Sequence, residues 1–67
     1  MNKAVRKRAK EMKEFLGTQL DTIKDHIQKQ VAKGRHRNSI VNSLQDEFDL
    51  NLLDSASVWY AWQTYML

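Results

Sequence analysis

The chain has 67 residues, a formal charge of +3, 42% hydrophobic residues, and neither proline nor cysteine. That length suits one small domain with a thin core, finished by a partner or a second copy, and does not suit a deep enclosed active site. The missing cysteines exclude disulfides, zinc–thiolate sites and thiol catalysis within the chain, and no apolar run reaches the ~20 residues of a membrane span.

The first segment has helical periodicity. Val5, Ala9, Met12, Leu16, Leu20, Ile23, Ile27 and Val31 are separated by steps of 4, 3, 4, 4, 3, 4 and 4. Such steps put them on one helix stripe. The reading is a single helix over residues 3–33, roughly 45 Å long at ~1.5 Å per residue. Gly17-Thr18 is its weak point, where Thr18 could cap a second helix with Asp21 as a partner. A glycine costs a helix only about 1 kcal/mol, so a continuous or gently kinked rod is preferred. A rod of that length outruns a small globule. Its stripe is expected to meet another copy or another protein.

Gly34 stands where a helix C-terminal cap belongs. Arg35-His36-Arg37 follows as a short basic loop. Asn38 or Ser39 would cap a second helix over residues 39–48, with Ile40, Val41, Leu44 and Phe48 on its apolar face. Asp49 to Leu53 reads as a turn. Asp54 or Ser55 would cap a third helix over residues 55–66, with Val58, Trp59, Trp62, Tyr65 and Met66 on a wide apolar face. A strand at Val58-Trp59-Tyr60 is the alternative there. The expected class is all-α: a long helix, then a hairpin of two shorter ones, paired as a homodimer.

The charge divides along the chain. All eleven basic residues lie in residues 1–37 with four acids, a balance of +7, whereas residues 38–67 hold four acids and no Lys or Arg. The aromatics divide the other way, with Trp59, Tyr60, Trp62 and Tyr65 near the end. This suggests an electrostatic end and a packing end. The bland alternative is a basic face that only solvates a helix.

Nothing in the sequence points to catalysis. It has no His-Glu-x-x-His pattern, phosphate-binding glycine loop or nucleophile elbow. His26 and His36 read as solvated or interface side chains. Asp46, Glu47, Asp49 and Asp54 lack the spacing of a calcium loop. No catalytic residue, metal site or cofactor is expected.

The segment from Ser39 to Met66 reads as helix, turn, helix, locked by Ile40, Leu44 and Phe48 against Val58 and Trp62. It is similar to the helix-turn-helix element of DNA-binding domains. That resemblance implies a second helix entering the major groove, with Ser55 and Ser57 near its start reaching phosphates and base edges. The turn is longer than the tight version, carries Asp49 where glycine is common, and leads into a helix without Arg or Lys. A helix buried in core or interface is the competing reading, because Trp and Tyr favour such places.

The basic residues offer another route to nucleic acid. Lys3, Arg6, Lys7, Arg8, Lys10 and Lys13 would sit at the positive end of the long helix dipole. Cations are mildly unfavourable there, which suggests either fraying of that end or attraction to an anion such as phosphate. Arg35, His36 and Arg37 would sit near the N-terminus of the second helix, where free N–H groups also favour phosphate.

The leading expectation is a small dimeric DNA-binding regulator, of the kind phages and mobile elements encode, gripping double-stranded DNA mainly through phosphates. Arg6, Lys7, Arg8, Lys10, Arg35, His36, Arg37, Ser55 and Ser57 would make the contacts. Leu16, Leu20, Ile23, Ile27, Trp59, Trp62 and Met66 would form the oligomer or partner interface. The alternative is a helical inhibitor or adaptor docked on a larger protein, with the stripe as a groove ligand and the tryptophans as anchors. A membrane-surface role ranks last, because the apolar face of the first segment has no Trp and the second half is acidic. The absent cysteines, and the absence of an apolar signal segment after the basic start Met1-Asn2-Lys3, point to the cytoplasm.

Overall fold

The computed structural model describes residues 2–67. Met1, at the basic start, lies outside the described residues. The elements are α1 (Lys3–Ala9), α2 (Met12–Leu16), a 3-10 turn (Gly17–Gln19), α3 (Leu20–Ala32), α4 (Arg37–Phe48) and α5 (Leu52–Gln63). There is no strand among the described residues, and Val58-Trp59-Tyr60 is helical. No helix among them is long and apolar enough to cross a membrane.

The rod expected over residues 3–33 does not form. The molecule measures 28 × 26 × 22 Å, too short in every direction for a helix of roughly 45 Å. Two breaks divide the segment. At Lys10 and Glu11 the backbone stays right-handed, and the Glu11 N–H donates to the Arg8 carbonyl at 2.9 Å. This tightens the path without turning it. At Gly17 the torsions are φ 52° and ψ −119°. Only glycine takes that conformation cheaply, and it bends the chain between α2 and α3. Thr18 lies inside the 3-10 turn, and Gln19 occupies the cap position of α3 without a side-chain bond.

The bend buries the apolar stripe within its own chain. Ala9, Met12, Leu16, Ile23 and Ile27 join Ile40, Leu44, Val58 and Ala61 in one core. Leu16, Ile23 and Ile27 are therefore core residues, not an oligomer surface. Leu20, Trp59, Trp62 and Met66 are half-buried against the same core. The periodicity was a sound sign of burial, but burial by the same chain and by another chain leave one pattern in a sequence.

Gly34 ends α3 as expected. It takes φ 77°, the Gly34 N–H reaches the Val31 carbonyl at 2.9 Å, and the Arg35 N–H reaches the Gln30 carbonyl at 3.1 Å. These two bonds form a Schellman cap. α4 starts at Arg37 rather than residue 39, with His36 in the cap position and no side-chain bond. It stops at Asp49, which takes the left-handed torsions φ 55° and ψ 36° that glycine often supplies. Asn51 then caps α5, its Oδ1 accepting from the Asp54 N–H at 2.7 Å. α5 therefore begins at Leu52 rather than residue 55, and it ends at Gln63 rather than residue 66.

α5 is the central helix, touched by α1, α2, α3 and α4. Asp54, Ser55, Ser57, Val58 and Ala61 are all buried along it. Its small side chains let neighbouring helices come close, since helix separation follows the side chains at the contact. α3 is pinned to α4 by His26, whose Nε2 lies 2.9 Å from Ser43 Oγ. The Ser43 hydroxyl also lies 2.8 Å from the Ile40 carbonyl, to which it can donate. The imidazole also meets Phe48 edge-on at 5.3 Å.

Candidate nucleic-acid interface

α1 sorts its residues by face. Val5 and Ala9 are buried. Lys3, Arg6, Lys7 and Lys10 are exposed. Their spacing of i, i+3, i+4 and i+7 keeps them on one face of the helix and its tightened end. With Tyr60 from α5 and Met66 beyond it, they line a cleft of about 410 Å³. Among the described residues none of the four cations is in an ion pair. Asn2 starts this helix, its Oδ1 accepting from the Ala4 N–H at 2.7 Å.

The helix is short enough to reverse an expectation about its dipole. Arg6, Lys7 and Arg8 occupy its last turn, where cations are stabilising rather than unfavourable. Their position at that end is thus no sign of an anion. What points to one is the convergence of four unpaired cations on a shared cleft.

Arg8 stands apart from this group. Its Nε donates to Asp54 Oδ1 at 2.8 Å and its Nη1 to Glu11 Oε1 at 2.6 Å. The guanidinium also lies over the Phe15 ring, 4.3 Å from the centroid, a cation–π contact. The hydrogen bond to Asp54, and then that to Glu11, raise the arginine above its already high ordinary pKa. Arg8 fastens α1 to α5 and is removed from the set of phosphate contacts.

Ser55 and Ser57 are removed as well, because both are fully buried. Ser57 Oγ donates to the Leu53 carbonyl at 2.6 Å, and Ser55 Oγ has no partner. From this buried face of α5 neither serine can reach a phosphate or a base edge.

Arg35, His36 and Arg37 are exposed at the bend between α3 and α4. Arg37 joins Asn38, Val41, Asn42, Leu52 and Ala56 around a cleft of about 260 Å³. That cleft shares no lining residue with the one on α1. The two basic clusters expected to act together therefore line separate clefts.

Lys3, Tyr60 and Met66 enlarge the α1 site beyond the expected nucleic-acid contacts; Lys3 was named only in the basic run, and Met66 was expected at an oligomer or partner interface. Lys3 was legible from its spacing to Arg6 and Lys7. Tyr60 and Met66 had no local signal, because their place depends on how α5 docks against α1. Among the described residues no group of three His, Cys, Asp or Glu is placed to hold a metal ion. Comparison with known protein families, curated proteins and solved structures finds no match to this chain.

Proposed function

We propose that the protein binds the phosphate backbone of DNA at the cleft formed by Lys3, Arg6 and Lys7 of α1 and Lys10 at its C-cap. The observation that carries this reading is the convergence of those four unpaired cations beside Tyr60 and Met66. Phosphates are the anions that reward such a row, since each neutralised phosphate releases counterions. A regulatory role fits a small module of this kind. The four charges belong to one chain, so the reading needs no second copy. The protein-ligand alternative is weakened, because the stripe that would have entered a partner's groove forms the core.

The test is a fluorescence-anisotropy titration with labelled DNA across a range of salt. With four phosphate contacts at about −0.9 each, log K should fall against log salt with a slope of roughly −3 to −4. Absence of binding at low salt, or an affinity indifferent to salt, overturns the proposal.

A further inference from the structure

α5 ends in an unusual way. Tyr65 takes a left-handed φ of 61°. The Tyr65 N–H reaches the Trp62 carbonyl at 3.2 Å and the Met66 N–H reaches the Ala61 carbonyl at 2.8 Å. This is a second Schellman cap, at whose left-handed position glycine is the favoured residue. Here a tyrosine carries the strain, and its side chain packs on almost nothing, being 94% exposed. A bulky aromatic held in a costly torsion without burial in return is placed for contact with something outside the chain.

Tyr65 lines a cleft of about 260 Å³ with Lys24, Gln28, Trp62, Gln63 and Leu67. The Trp62 ring is stacked on Trp59, with centroids 5.8 Å apart and planes 18° from parallel, which holds it firmly. Met66, between Tyr65 and Leu67, lines the cationic cleft of α1 instead. The last turn of the chain is thus a shared wall: one side faces four cations, the other two aromatic rings and a lysine. Neither lining contains an Asp or Glu side chain. Asp25, next to Lys24, is paired with Lys29 at 2.9 Å.

We infer that the nucleic acid held at α1 is a single strand, with an unpaired base stacked on Tyr65 and Trp62 across the shared wall. This rests on the proposed phosphate contacts at α1 and adds strand state to them. A duplex keeps its base faces inside its own stack. A single strand offers a phosphate track and free π-faces together, the combination that a basic groove beside aromatic rings recognises.

The experiment compares an oligothymidine with a duplex of equal length at one salt concentration, using the whole chain and the variant Tyr65→Gly. Glycine relieves the left-handed torsion, so the variant should unfold at the same temperature as the parent or higher, and lost binding is not lost folding. The single strand should bind roughly tenfold more tightly than the duplex, and Tyr65→Gly should remove that advantage while leaving duplex affinity unchanged. Trp62 fluorescence should be quenched by the single strand. A duplex bound as tightly as the single strand overturns the inference and leaves the α1 proposal standing. So does a single-strand preference that survives Tyr65→Gly. Failure of both probes to bind overturns the α1 proposal itself.

Discussion

In α1, four cations at helical spacing surround one cleft closed by Tyr60 and Met66. Arg35, His36 and Arg37 are instead spread around a bend, and Arg37 faces a cleft otherwise lined by amides and apolar side chains. Along the chain both are short positive runs, four cations in one and two arginines flanking a histidine in the other. Folded, one is a surface of defined shape and the other a set of solvated side chains beside an uncapped helix start. Charge becomes a site when a rigid element aligns it and a second element closes one side. Arg8 makes the same point within a single run, since its charge is used on Asp54 and Glu11.

The most forceful way to break this contrast is to neutralise each cluster in turn. Changing Lys3, Arg6, Lys7 and Lys10 together to glutamine should lower DNA affinity by on the order of 10⁴-fold at 0.1 M salt, at roughly tenfold for each of the four lost contacts. Arg35→Gln with Arg37→Gln should lower it by about twofold. A loss per neutralised charge that is the same in the two sets, measured by anisotropy at the same salt, would make net charge rather than arrangement the determinant.

Arg8→Ala should behave unlike its neighbours. It removes two charge-assisted bonds and leaves Asp54 largely buried beside a missing partner. A loss of about 2 kcal/mol is expected, seen as a fall in Tm of on the order of 10 °C for a chain this small. DNA affinity of the folded fraction should hardly change. A variant with unaltered Tm and weakened binding would return Arg8 to the interface.

The smallest effect concerns the serines that the sequence reading groups with the basic residues. Ser55→Ala removes a buried hydroxyl without a partner and improves helix propensity, so it should stabilise by up to about 1 kcal/mol. Ser57→Ala loses the bond to Leu53 and should gain less. Thermal denaturation of the two variants separates these cases. Impaired DNA binding in either would place α5 back at the nucleic acid.

Much of the local structure was legible. The spacing of Ile40, Val41 and Leu44 marked a buried helix face, and Gly34 marked the end of α3, because periodicity and left-handed torsions act over a few residues. The apolar stripe was also read correctly as a buried surface. What covers it was not legible, since that depends on whether Gly17 bends. A glycine is tolerated in a straight helix at modest cost, and the gain from closing the core on itself lies in contacts far away in sequence. The cap of α5 was missed for a local reason: Asp54 and Ser55 are good caps, but Asn51 stands earlier and its side chain reaches the Asp54 N–H. Of the candidate site, the run of cations could be read. The aromatic wall could not, because Tyr60 and Tyr65 acquire their positions from the docking and the ending of α5.

Gly17 has a consequence for connectivity. A Cβ at this residue would meet nothing within 4 Å, so the torsion alone, not crowding, favours glycine there. With a residue that resists that torsion, α2 and α3 would align end to end and draw α1 away from the α5 of its own chain. The vacated groove on α5 would then be filled by α1 of a second molecule, by domain exchange. A closed monomer and an interlocked pair would use the same helix contacts and differ in the path through one residue. The docking of α1 on the α5 of its own chain therefore depends on the bend at Gly17 as much as on the size of the core.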